Sequence, residues 1–205
     1  MQAITLISEV VRQLEDYLAA GGIVMLPLVV VSLVMWVLIL DRAFFFRRLY
    51  LKNMSFQQAW DHVHAHRMPD PRQFRGVISV LVSRFVGSRS GDSALDRYML
   101  DEIVLNINRS TTDYLAVIGV LAAVAPLLGL LGTVTGMIST FDVLAVFGTG
   151  NAKAMAGGIS EALITTQTGL LVAIPGLYMK GFLERRALNL RQRISAVGYY
   201  LRRQI

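Results

Sequence analysis

Chemistry in this 205-residue chain could centre on one acid in an apolar run. Glu161 is the sole charge of residues 157–177, a stretch otherwise made of apolar, glycine, proline and neutral polar residues. An acidic side chain at bilayer depth costs about 2.5–3.5 kcal/mol on insertion scales, so it is kept where it faces a protein interior or a wet pathway. Hydroxyls accompany it: Thr165, Thr166 and Thr168 in the same run, Thr133 and Thr135 in the apolar run before it. A hydroxyl both donates and accepts. Such a set could hold a protonated glutamate, or a water carrying the proton, without a fixed counter-charge. Helical spacing puts Thr165 and Thr168, four and seven residues on, on the face of Glu161 and turns Thr166 away from it. The plainer reading is a structural glutamate bonded between helices.

The elements that must position these groups read as membrane helices. The hydrophobic fraction is 54%, above the soluble range of about 45–50%. Three apolar segments carry it: 22–40, about 114–147 and about 154–182. The first matches the roughly 20 residues needed to cross a bilayer, and the other two are long enough to project beyond it. The sequence therefore predicts an all-α membrane protein with three transmembrane helices, the second and third extending into the cytoplasm. The expected organisation is an amphipathic periplasmic helix (1–21), a first span (22–41), a cytoplasmic helical insertion (42–110), a second span (111–148), a periplasmic turn (149–156), a third span (157–183) and a cytoplasmic C-terminal helix (184–205).

Orientation follows from the basic residues. Of 20 lysines and arginines, 11 lie between Arg42 and Arg109 and seven between Lys180 and Arg203. The positive-inside rule makes both stretches cytoplasmic and the N-terminus periplasmic. The net charge of +6 thus reads as a topology signal with attraction to anionic lipid, not as a nucleic-acid footprint, since no nucleic-acid motif accompanies it. Residues 1–21 carry more acid than base, which is the wrong flank for a signal peptide. The absence of cysteine excludes disulfides and thiol chemistry. Walker A, His-Glu-x-x-His and nucleophile-elbow motifs are absent, so neither an enzyme nor a cofactor is expected. His62, His64 and His66, two apart, read as solvated side chains and not as metal ligands.

Within the insertion, Phe56, Ala59, Trp60 and Val63 predict a short helix ended by Pro69-Asp70-Pro71, and 76–86 a second. Leu95, Met99, Ile103 and Ile107 predict a third helix running directly into the second span. Phe44, Phe45, Phe46 and Tyr50 form an aromatic belt at the membrane exit. Ile4, Ile7, Val11, Leu14 and Leu18 predict the interfacial helix, and Gly21-Gly22 a break after it. Gly129, Gly132 and Gly136 are spaced for close helix approach. Gly169 extends that role to the third span, and Pro126 and Pro175 read as kinks.

Two stretches carry a family likeness. Ala125-Pro126-Leu127-Leu128-Gly129-Leu130-Leu131-Gly132-Thr133-Val134-Thr135-Gly136-Met137 resembles the second-span motif of the ExbB/TolQ/MotA proton-channel family. Ile159-Ser160-Glu161-Ala162-Leu163-Ile164-Thr165-Thr166, followed by Gly169-Leu170 and Ala173-Ile174-Pro175, resembles its third-span motif. The three-span layout extends the likeness over most of the chain, towards the ExbB and TolQ branches. The resemblance implies a homopentameric ring in the bacterial inner membrane. Its channel glutamate would be Glu161 and its pathway threonines Thr133 and Thr166, leaving Thr165 as the candidate from helix geometry. It also implies a single-span ExbD-type partner with a membrane aspartate, and a TonB-type protein that takes up the work. A TolQ-like unit, a gliding-type stator and a passive scaffold are the alternatives.

Overall fold

The computed structural model describes residues 9, 12, 15–50, 54–70, 72–74 and 76–205. The amphipathic helix expected over 3–18 falls mostly outside them; residues 15–20 are helical. Six helices follow: α1 (Met25–Tyr50), α2 (Phe56–His64), α3 (Val77–Ser88), α4 (Ser93–Ser110), α5 (Leu115–Phe147) and α6 (Ala152–Gln204). No strand occurs among the described residues. Three stretches are long and apolar enough to cross a membrane: α1, the stretch containing α5, and α6. Only 22–33% of their most apolar windows is buried within the chain, so most of that surface is left for lipid or other subunits.

Contacts divide the chain into two units, Met1–Leu38 with Val117–Met179, and Ile39–Ala116 with Lys180–Ile205. In the first, α5 and α6 run antiparallel along a seam of small residues. A Cβ built on Gly129 would lie 3.0 Å from the Thr165 carbonyl oxygen, and one on Gly169 would lie 2.8 Å from that of Ala125. One on Gly136 would lie 2.6 Å from the Gly158 carbonyl oxygen. Ala122, Ala125, Gly129, Gly132, Gly136 and Thr140 thus face Gly158, Ala162, Thr165, Gly169, Ala173 and Gly176, all buried. Each set recurs at three- and four-residue steps, the spacing that lets two membrane helices come close. Met35 of α1 closes on Gly176. Pro126 and Pro175 both lie inside unbroken helices, each removing one backbone donor.

In the second unit, the lower part of α6 buries Leu183, Ala187, Leu190, Ile194, Val197 and Leu201. Their alternating four- and three-residue spacing is a coiled-coil stripe. It runs antiparallel to α4: Arg202 pairs with Asp101 at 3.2 Å, a Cβ on Gly198 would meet Val104, and Asn108 donates to Ser195 Oγ at 3.2 Å.

Two of the insertion helices start on side-chain caps, while α3 starts at Gly76 without one. Ser55 and Gln58 form a reciprocal capping box at α2, and the Asp92 side chain accepts from the Ala94 N–H at α4. α2 ends at His64, before the Pro69-Asp70-Pro71 stop expected from sequence, with His66 at φ +50. The continuity expected between α4 and the second span carries one break, a turn over 111–114 with Tyr114 at φ +62.

Two charged groups are buried in this unit. Asp96 is inaccessible to solvent and lies 2.9 Å from Arg89 Nε. It accepts from the Ser90 N–H and hydroxyl, while Arg89 Nη1 donates to the Val63 carbonyl, linking α2 to α4. Burial raises the pKa of this carboxyl, but the Ser90 N–H, Arg89 and the Ser90 hydroxyl together outweigh burial and hold it below its ordinary value. Arg42 is 7% exposed, its guanidinium over the rings of Phe45 (4.8 Å) and Tyr114 (4.6 Å). It donates to the Ser110 carbonyl at 3.3 Å and lies 3.4 Å from Asp41. The aromatic faces offset part of the cost of burying the cation.

His62 Nδ1 is 2.8 Å from the Gln58 carbonyl oxygen, and the His64 ring stacks obliquely on Trp60. No cluster of three or more metal-binding side chains forms among the described residues.

Candidate functional site

Glu161 lies on α6 one step to the side of the α5–α6 seam, between buried Gly158 and Ala162, and is partly exposed. Its carboxylate makes no hydrogen bond among the described residues. Backbone lies close against it. Gly22, at φ +64, approaches so closely that an added Cβ would overlap Glu161 Oε1 and lie 2.6 Å from its Cδ. Only glycine adopts that dihedral without strain and leaves the carboxylate its space. Two turns along the same face, Thr168 Oγ1 is 2.9 Å from the Tyr17 hydroxyl. The chain just before α1 therefore meets α6 at both Glu161 and Thr168.

The threonines divide. Thr165 is fully buried in the seam against Gly132, and its hydroxyl donates to the carbonyls of Glu161 and Ala162, both at 3.0 Å. Thr166 donates to the Ala162 carbonyl at 2.9 Å and, across the helices, to that of Gly129 at 3.3 Å. Thr168 donates to the Ile164 carbonyl at 2.7 Å. Thr133 bonds its own helix at Leu130 (2.6 Å) and lies outside the seam, as does Thr135, bonded to Gly132 at 3.0 Å. Within one chain, Thr165 and Thr166 stand beside the Glu161 turn, and Thr133 does not join them. The face shared by Glu161, Thr165 and Thr168 in a helical projection is split: Thr165 turns into α5 and Thr168 towards Tyr17.

Interhelical hydrogen bonds in membranes average about 0.6 kcal/mol, so the Thr166–Gly129 bond is a small term. Close packing of Gly129, Gly132, Gly136 and Gly169 sets the spacing. Sequence reading found these four but missed Ala122, Thr140, Gly158 and Ala162, which the same three-and-four spacing could have supplied. Nothing in the sequence signalled that Gly22 and Tyr17 would reach Glu161 and Thr168.

The fold and site define a multi-span helical membrane protein with an acid in its third span. The chain belongs to the MotA/TolQ/ExbB proton channel family, which it matches over residues 70–196, more than half its length. It is thus a channel-family protein and not an enzyme. It is 32% identical over 183 residues to a biopolymer transport protein ExbB-like 1 of Synechocystis sp., covering 80% of this chain and 67% of that one. A second Synechocystis protein, ExbB-like 3, is 32% identical over 192 residues, 84% and 85% of the two chains. The biopolymer transport protein ExbB of Salmonella typhimurium is 27% identical over 179 residues, 80% and 72%.

Proposed function

We propose that this chain is the ring-forming proton-channel subunit of a bacterial inner-membrane motor. With an ExbD-type single-span partner, it would turn proton-motive force into mechanical work for TonB-dependent outer-membrane transport. The observation that carries this reading is Glu161. It is an acid within a candidate membrane helix, bonded to no described side chain, with its carboxylate against glycine backbone and two threonine hydroxyls on the turn that follows. A carboxylate fixed as structural glue would have a partner; this one has none among the described residues. Family membership and the ExbB-named relatives support the same reading.

The residues divide the work as follows. Glu161 lines the route and presents charge to a partner aspartate, and protonation of that aspartate relieves their repulsion. Thr166, the less buried of the two, passes or holds the proton-bearing water, and Thr165, buried in the seam with its hydroxyl on the Glu161 carbonyl, holds that turn of the route in place. Thr133, bonded to its own helix at Leu130, completes the route from a neighbouring copy in a homopentamer. The electrical part of the driving force is worth about 2.3 kcal/mol per charge per 100 mV. The N-terminus lies in the periplasm; the insertion and C-terminal helix lie in the cytoplasm.

Glu161→Gln tests this reading because it keeps size and polarity and removes only ionisation. Energised uptake should be lost while the protein still inserts and assembles. Uptake at the unmodified rate would leave Glu161 as a structural residue and the chain as a scaffold. The partner decides between TonB-linked transport and a TolQ-like envelope role.

A further inference from the structure

The second unit contains an open cavity of about 910 Å³, a volume in the range of ligand sites. Its walls come from the end of α1, Pro69 and Phe74, α3 and the end of α4. The lining combines two chemistries. Phe45, Phe74 and Val80 give an apolar floor, and Arg47, Arg48 and Arg84 give a cationic rim. No acid lines the cavity. None of the three arginines pairs with a carboxylate among the described residues. All three are exposed, whereas Arg42, Arg89 and Arg202 in the same unit each have an acidic partner.

Position along α1 selects the ligand. The apolar run of this helix ends at Leu40, and Arg47 follows about 10 Å further along the axis at 1.5 Å per residue. Phe44 and Phe45 fall about 6–7.5 Å beyond Leu40, at headgroup depth for a helix whose apolar part fills the hydrocarbon, and the long side chain of Arg47, one turn on, can reach back to it. A soluble anion would use the rim and leave the aromatic floor bare. A phospholipid uses both, phosphate on the guanidinium forks and glycerol with upper acyl chain on the floor.

We propose that this cavity is a binding site for an anionic phospholipid of the adjoining leaflet. Arg47, Arg48 and Arg84 hold the phosphate, and the Ser83 hydroxyl, also in the lining, adds a hydrogen bond. The inference rests on α1 crossing the membrane and is independent of the proton-pathway reading.

The chain has no cysteine, so Gln73→Cys, at an exposed position beside the cavity-lining Phe74, introduces a unique label position outside the site. The full chain, labelled there with a small fluorophore, is reconstituted into phosphatidylcholine vesicles. These carry a fixed fraction of either brominated phosphatidylglycerol or brominated phosphatidylcholine. Stronger quenching by the brominated phosphatidylglycerol is expected. Arg84→Gln, at an exposed position, should lower the apparent preference about fivefold for the one charge removed, with helix content unchanged. If that variant fails to insert, Arg47→Gln and Arg48→Gln provide the same reading singly. Equal quenching by the two lipids, or a preference that survives all three substitutions, overturns the site. So does loss of the phosphatidylglycerol preference on adding millimolar glycerol phosphate, which would identify a soluble phosphate as the ligand. Disulfide linkage between copies through the unlabelled cysteine would identify a second chain as the occupant and overturn it equally.

Discussion

Gly22 and Glu161 form the most demanding single contact of the candidate site. Alanine at Gly22 meets two separate penalties: a left-handed dihedral costing about 1–2 kcal/mol without glycine, and a methyl group in the space of the carboxylate. Gly22→Ala should therefore lower stability by more than the dihedral cost alone. In a Glu161→Ala background the second penalty disappears, leaving a coupling of about 0.5–3 kcal/mol in a double-mutant cycle. Thermal unfolding of the four detergent-solubilised proteins measures it, and strict additivity would mean that the two residues do not touch. Glu161→Gln, which keeps the contact, should stay near the parent in this assay while losing energised uptake. That separates the packing role of the residue from its ionisation.

Helix pairs raise a different question, namely what holds α5 against α6 and α2 to α4. For the first, the contrast lies between glycines in the seam and glycines outside it. An alanine methyl at Gly132 would run into the Thr165 side chain, whereas at Gly157 it would meet nothing within 4 Å. Gly132→Ala should destabilise by about 1–3 kcal/mol through overpacking. Gly157→Ala should be neutral or stabilising, since alanine is the better helix former. Thermal unfolding again distinguishes them, and equal effects would show that the seam is not close-packed. For the second pair, Asp96 is the joint. Its carboxyl has a lowered pKa in the folded state, so the unfolded chain binds more protons in acid. The stability it contributes is present above the unfolded carboxylate value and is lost as pH falls through the folded one. Asp96→Asn should cost about 1–3 kcal/mol at neutral pH and flatten this part of the acid limb. Unfolding curves taken down the acid range check the sign.

At the scale of the whole molecule, three apolar helices leave most of their surface uncovered by their own chain. Leu127, Leu130, Leu131 and Val134 of α5, and Leu163, Leu170, Leu171 and Ile174 of α6, are exposed. Lipid covers some of this surface, and the ring reading assigns the rest to neighbouring copies and a partner helix. Co-expression with a single-span protein carrying a membrane aspartate should yield a complex that purifies intact, and its mass should give five copies of this chain. Purification of the chain as a stable monomer, unable to retain such a partner, would remove the motor reading and leave family membership untouched.

The sequence by itself determined the helical class, three apolar stretches, the short insertion helices and the family motifs. Each follows from local periodicity or composition, which no distant residue can alter. It also marked Glu161, because a charge in an apolar run stands out without any structure. Tertiary structure decided what surrounds that charge. Thr165 points into the seam because Gly132 leaves room there, and Thr166 reaches the Gly129 carbonyl because the small residues bring the helices together. Gly22, read from sequence as a mere break, lies on the carboxylate, and Asp96, one acid among 14 acidic residues, is the buried joint of the insertion. These facts depend on which faces meet between residues well separated in sequence, 37 apart for Thr166 and Gly129, and helical spacing fixes only which residues share a face.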